Sequence, residues 1–418
     1  MNEDTGLPLL DCAAYESCEN LVKRTRWLAE LKRIDKLPPT SVVWTALLST
    51  MDIHFLFLIC TRSKVYFDAV INYIQTVEPD WASANEYLVP VAPGGFLSLP
   101  QELRQYVCEF LDLRERAMLG ATCRCANALV RRILRICVAD LFKPYGISYR
   151  VVNFMQVATG TIISGSSITR LSMARRSSRA FNPNDIDMYS PHSSWPHVVR
   201  FLEIATQFRL SKHQTSTYGL PGLSDIGWMT KGQGNALSLN IMRCSGEHVY
   251  EPILQFHSSC VIGGVDASGL WLANPKLLFE AKSIINRPYL NLETDASRQR
   301  AFAVLQKYMN RGISFHVDYN VRHTCGKSKS CPASIRHMQD RGCMRMKFAT
   351  AAYGSSALGD NRFPGQYVLS WSYGGLGCSR GVRRAASGMQ VLPVFDEQVY
   401  RWRKAALKLK AKAKAALA

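Results

Sequence analysis

Three helix-starting patterns follow one another between Ser98 and Phe142, and they restrict the middle of the chain to a compact helical trio. Ser98-Leu99-Pro100-Gln101 joins a capping-box arrangement to an early proline, a combination suited to a helix start. Leu103, Tyr106, Val107, Phe110 and Leu111 then recur at i, i+3, i+4, i+7 and i+8, one face of a helix. Asp112-Leu113-Arg114-Glu115 is a second capping box, opening a short helix that bears Met118 and Leu119. A third stripe, Ala126, Leu129, Val130, Ile133, Leu134 and Cys137, defines the next helix. Cys123 and Cys125 are expected as packed thiols and not metal ligands, because residues two apart on a helix point to different faces. So small a unit hides only part of its apolar surface, and an uncovered apolar patch marks a partner site.

The run LSLPQELRQYVCEFLDLRERAMLGATCRCANALV resembles an F-box in its Leu-Pro, Glu-Leu and Thr-Cys positions and in the apolar pair that closes the first helix. The resemblance extends from Leu99 to about Phe142. It implies docking on the Skp-type adaptor of a cullin-RING ubiquitin ligase, with Leu99, Pro100, Leu103, Val107 and Leu111 as contact positions. The chain would then be a substrate receptor for a client protein. The alternative reading of the same periodicity is a plain helical hairpin in the core of a larger domain.

The second informative stretch lies downstream. Thr161-Ile162-Ile163 reads as a short strand running into Gly165-Ser166, and an apolar-flanked Asp185-Ile186-Asp187 reads as a second strand. Residues two apart in a strand share a face, so Asp185 and Asp187 would present two carboxylates together, as a divalent cation requires. Gly165 and Ser166 at a strand-to-helix turn would offer backbone N–H groups and a hydroxyl to a phosphate. This Gly-Ser…Asp-x-Asp pattern resembles the polymerase-beta-like nucleotidyltransferases over about residues 150–320. There the two aspartates hold magnesium, which activates the attacking hydroxyl and clamps the triphosphate. Here the Ser166-to-Asp185 gap is long and filled by Arg170, Arg175, Arg176 and Arg179. The later strand, Ala236 to Met242, offers Asn240 where a third carboxylate is wanted. Without that charge, a metal-dependent enzyme and a catalytically dead nucleotide-binding relative both remain open. A strand-end turn at Asn182-Pro183-Asn184-Asp185 is the plain reading. The whole layout also resembles a group of proteins of mushroom-forming fungi that join an F-box-like segment to a degenerate domain of this kind.

Elsewhere the chemistry thins out. His257 near Cys260 has no recognisable third group for a Cys–His centre and is expected as a core histidine. His323, Cys325, Cys331, His337 and Cys343 are dense enough to consider structural zinc, although their spacing is irregular, and the plain reading is reduced thiols in a basic loop. Of 51 Lys+Arg against 32 Asp+Glu, residues 1–100 hold 8 and 12, so their net −4 leaves +23 of the overall +19 to the rest. A basic remainder suits an anionic partner, nucleic acid included, but no motif interleaves those charges with stacking aromatics. The terminal 401–418 segment carries seven basic residues and no acid and reads as a solvated helix or an import signal.

Val42 to Cys60, the most apolar stretch, contains Asp52 and His54, so no membrane span is expected. The acidic opening MNEDTGLPLLDC is unlike a secretory signal, and 13 dispersed cysteines read as thiols kept reduced in cytosol or nucleus. Ser17 to Ile34 and Tyr66 to Val77 are expected helices, as are Pro196 to Phe208 and Pro275 to Ile285. Tyr218 to Gly234 reads as a loop, and Glu251 to Val265 as a strand and turn. The expected fold class is therefore α+β. Its expected parts are a helical region with linker (1–95), an F-box-like unit (96–145), a mixed-sheet nucleotidyltransferase-like domain (146–320), a Cys/His segment (321–385) and a basic tail (386–418).

Overall fold

The computed structural model describes residues 18–34, 36–38, 40–51, 53–77, 95–177, 180–215, 222–232, 237–246, 249–286, 295–316, 336–337, 342–348, 367–372 and 390–395. They form two compact units, the first from 1–252, 264–270 and 346–352, the second from 253–263, 271–345 and 353–418. Helices and a mixed sheet make the chain α+β. Among the described residues no helix is long and apolar enough to cross a membrane.

The first unit opens with α1 (Cys18–Ile34), α2 (Val42–Leu48), α3 (Ile53–Cys60) and α4 (Lys64–Val77). α3 is apolar nearly all round, and Phe55, Leu56, Phe57, Ile59 and Cys60 are buried. Next comes the trio α5 (Gln101–Phe110), α6 (Leu113–Gly120) and α7 (Arg124–Phe142), then α8 (Tyr149–Thr159). Strand β1 (Ile162–Ser164) leads through Gly165 into α9 (Ser166–Ser172), followed by β2 (Asp185–Ser190), α10 (Trp195–Ala205), β3 (Arg209–Thr215), β4 (Leu223–Thr230) and β5 (Ser238–Cys244). With β6 (Gly263–Asp266) these strands lie in the order β6-β1-β2-β5-β4-β3. β2 and β5 are parallel, and β1–β2, β1–β6, β3–β4 and β4–β5 antiparallel.

Two expectations fail here for stated reasons. The stretch expected as a loop from Tyr218 to Gly234 contains a strand, because Leu223–Thr230 is clamped between β3 and β5. Ser98 does not cap α5: its hydroxyl donates to Gly95 O at 2.7 Å, and Pro100 takes the N-cap position. The second capping box forms as read, with Glu115 N donating to Asp112 Oδ1 at 2.8 Å and Asp112 N to Glu115 Oε2 at 2.7 Å. In α7 the whole expected stripe, Ala126 to Cys137, is buried.

The N-terminal helices and the sheet's helices share one aromatic core. Phe201 of α10 lies 5.0 Å from Phe57, 5.4 Å from Phe67 and 6.0 Å from Phe154 between ring centroids. Aromatic pairs at such spacings add to the burial of their area.

The second unit contains the end of β7 (Gly269–Leu272), at Trp271 and Leu272, α12 (Pro275–Phe279), the parallel pair β8 (Lys282–Ile284) and β9 (Ser314–His316), and α13 (Asp295–Met309). β10 (Arg336–His337), β12 (Tyr367–Ser372) and β13 (Gln390–Phe395) form a small antiparallel sheet; β11 spans Met344–Lys347. The expected helix Pro275 to Ile285 stops at Phe279, since Lys282–Ile284 pairs with β9. Glu251 to Val265 is the short helix α11 (Tyr250–Leu254), a 3-10 turn and the start of β6.

His257 is an enclosed histidine here. Its Nδ1 lies 2.8 Å from Ser258 Oγ, which is 3.4 Å from Cys260 Sγ, and its ring is 5.6 Å from Tyr308. Burial, then the Lys307 charge, lowers its pKa from 6.5 to about 4, while burial pushes the Cys260 thiol up. A thiol raised in this way is no nucleophile.

Phe201, fully buried, is expected to cost about 3–5 kcal/mol when replaced by Ala, read as a lowered urea midpoint of the first unit. Because the native pKa of His257 lies below its unfolded value, the unfolded chain takes up the proton first. Stability is therefore complete above pH 6.5 and declines as the pH falls from 6.5 towards 4. His257→Gln should flatten that part of a pH–stability profile followed by fluorescence.

Candidate functional site

The exposed side of α5 is apolar. Leu103, Tyr106, Val107 and Phe110 are 50, 49, 39 and 52% exposed, and Leu99 just before them is 37%. Pro100 is exposed and Leu111 half-buried. Met118 of α6, 63% exposed, also leaves its side chain in solvent. Tyr106 and Phe110, one helical turn apart, meet edge to face at 5.2 Å. They were legible in the same stripe as Leu103 and Val107, and their ring contact makes them part of the same face.

The opposite side of α5 carries Cys108 and Glu109, both buried. Arg116 of α6, with no exposed surface, donates from Nε to Cys108 O at 3.1 Å and from Nη1 to Cys137 Sγ at 3.2 Å. One guanidinium thus ties α5 and α7 together through α6. Its reach to the last turn of α5 gives that turn's carbonyl a second donor beside Leu111 N, which lies 3.3 Å from the same oxygen.

Glu109 is gripped from the other direction. Arg175 Nη1 lies 2.5 Å from its Oε1, and Arg176 Nε 2.6 Å from its Oε2; Arg176 N also donates to Glu109 O at 3.1 Å. Arg175 Nη2 reaches Asp140 of α7 at 2.7 Å. Hydrogen bonding to Glu109 raises the Arg176 pKa, and burial raises that of Asp140. The Arg176 guanidinium stands 4.6 Å from the Tyr106 ring centroid and 5.6 Å from that of Phe110.

Cys123 corrects one expectation. It is exposed and unpacked, and its Sγ accepts from Ala126 N at 3.4 Å as the N-cap of α7. That backbone donor lowers its pKa.

A separate polar cluster sits where β1, β2 and β5 lie side by side. Asp187 pairs with Ser164 on one flank and with Asn240 on the other. Asn240 Nδ2 donates to Asp187 Oδ1 at 2.9 Å. Asp187 Oδ2 lies against the Gly165 turn, where a Cβ would fall 2.2 Å from it, and Gly165 has φ +69°. Only glycine meets both demands. Asp185 shares the strand face of Asp187, each half-buried with Ile186 buried between them. The Ser166 and Ser167 hydroxyls are buried with no hydrogen-bond partner. Tyr145 donates to Pro183 O at 3.1 Å, and burial, then the charges of Asp185 and Asp187, push its hydroxyl pKa up.

The fold therefore brings Gly165, Ser166, Asp187 and Asn240 to one place, with Asp185 beside them. The zinc reading is different. Cys325 and Cys331 lie outside the described residues, as do His323 and the side chain of His337, while Cys343 Sγ accepts from Arg336 Nη2 at 3.3 Å. The 401–418 segment is also outside them. Among the described residues no three His, Cys, Asp or Glu side chains group as metal ligands.

Compared with known proteins, the chain matches no curated relative and no solved structure. One family model does match, that of the F-box domain, over residues 96–136, which are α5, α6, the first part of α7 and the turn before them. The helical trio with the uncovered apolar row is an F-box domain.

Proposed function

We propose that this chain is a substrate receptor of a cullin-RING ubiquitin ligase, docking on a Skp-type adaptor through the exposed side of α5. The protein-interaction role follows from the F-box domain itself. The observation that supports the finer reading is the continuous apolar row at Leu99, Leu103, Val107 and Phe110, held outward while Arg116 and Glu109 anchor the helix from behind. Covering such side chains is worth about 1.5–3 kcal/mol each before the costs of association. Leu99, Pro100, Leu103, Val107 and Leu111 are the proposed contacts. The rest of the chain would hold the client, and assembly with a ligase places the protein in cytosol or nucleus.

The second reading concerns the polar cluster. The strand–Gly165–helix turn, the paired aspartates and the neighbouring β5 residue support a nucleotidyltransferase-like domain. Asn240 at the third position favours the catalytically dead relative over the enzyme, since an amide neither removes a proton nor neutralises a metal. The resemblance to proteins of mushroom-forming fungi concerns this same layout and remains part of the proposal.

Leu103→Ala with Val107→Ala should weaken adaptor binding in a titration by at least ~30-fold, an outcome scaled from the burial of two anchor side chains, with the helical circular dichroism unchanged. Equal affinity of the double variant and the parent would sink the receptor reading. For the second reading, transfer of labelled nucleoside triphosphate in magnesium should be no faster for the parent than for Asp185→Asn with Asp187→Asn. A clear excess of turnover in the parent would restore the enzyme.

A further inference from the structure

The nucleotidyltransferase resemblance implies a divalent cation between Asp185 and Asp187, and the donor set around Asp187 does not suit one. A hard cation asks for converging anionic oxygens. Asp187 Oδ1 instead accepts from the Asn240 amide at 2.9 Å, and its Oδ2 faces the Gly165 turn so closely that a Cβ there would lie 2.2 Å away. The amide's orientation is fixed chemically. Its oxygen accepts from Ser238 Oγ at 3.4 Å, and turning it over would oppose two oxygens at the carboxylate. Asn240 is only 8% exposed, so its N–H groups have few other acceptors to turn to.

We propose that the Asn240 side chain stands in place of a metal ion as the partner of Asp187. The carboxylate is then a cation-independent buckle that joins β2, β5 and the turn entering α9. The parallel register that sets Asp187 opposite Asn240, and the antiparallel register that sets it opposite Ser164, bring the three segments within reach of this one side chain. In a three-carboxylate centre the same geometry would push negative charges together and need a cation to hold them. The amide removes that need by supplying donors. The proposal starts from the donor pair of the second reading, but its readout is stability and not turnover, so the two fail separately.

The test is thermal unfolding of the full chain in chelator and in millimolar magnesium, manganese or calcium. The parent should melt at the same temperature, within about a degree, in every condition. Asn240→Asp should melt roughly 4–8 °C lower in chelator, through lost hydrogen bonding and added repulsion, and recover with the metal. The exchange variant, Asp187→Asn with Asn240→Asp, reverses donor and acceptor and should regain most of that loss in chelator. A saturable rise of several degrees in the parent with any of these metals, abolished by Asp185→Asn, would overturn the proposal. So would an exchange variant as unstable in chelator as Asn240→Asp. If Asn240→Asp does not fold, the parent titration decides alone.

Discussion

The grip of two guanidinium groups on Glu109 is the interaction on which the rest of the first unit turns. The carboxylate is 11% exposed, and such a charge is tolerable only when its oxygens are answered by close donors. Arg175 and Arg176 supply them, one to each oxygen. Both arginines come from the chain just after α9, which itself packs on α6, α7, β1 and β2. The trio is therefore built into the sheet's framework. It is no appended module on a tether.

That arrangement also explains how an amphipathic helix can keep its apolar side in water. α5 is held from behind by three separate devices: the Arg116 bond to its last turn, the paired guanidiniums on Glu109, and the backbone bond from Arg176. The outward row takes part in only one of these, through the Arg176 guanidinium over its Tyr106 and Phe110 rings. Its orientation is set by polar groups, which leaves the apolar groups for something else.

Local chemistry was the legible part. The Asp112 box and the α7 stripe were readable because each depends on residues within a few turns of one helix. α3 was not, since a helix that is buried nearly all round shows no periodicity, and α2, seven residues long with Val42 and Val43 exposed, is too short to show one. β4 was hidden by glycines; its pairing on both sides, with Gly227 opposite Ile241 and His213, makes it a strand. The polar cluster was half legible. Asn240 could be placed on the later strand by pattern, but its bond to Asp187 exists only through a parallel pairing 53 residues apart. Arg175 and Arg176 read as members of a charge run, and their partner lies 66 and 67 residues away. Arg116 gave no sign at all, because a charged residue with no exposed surface is an exception that tertiary packing alone creates.

Gly165 and Asn240 flank the same carboxylate but stand under unequal mutational pressure. Any side chain at 165 collides with Asp187 and demands a left-handed backbone, so that position is closed to drift by space alone. Asparagine and aspartate codons differ by a single base, so position 240 is one point mutation from an acidic residue. A lineage carrying this domain could cross between an amide and a carboxylate there in one step, in either direction, while the glycine beside it stays put.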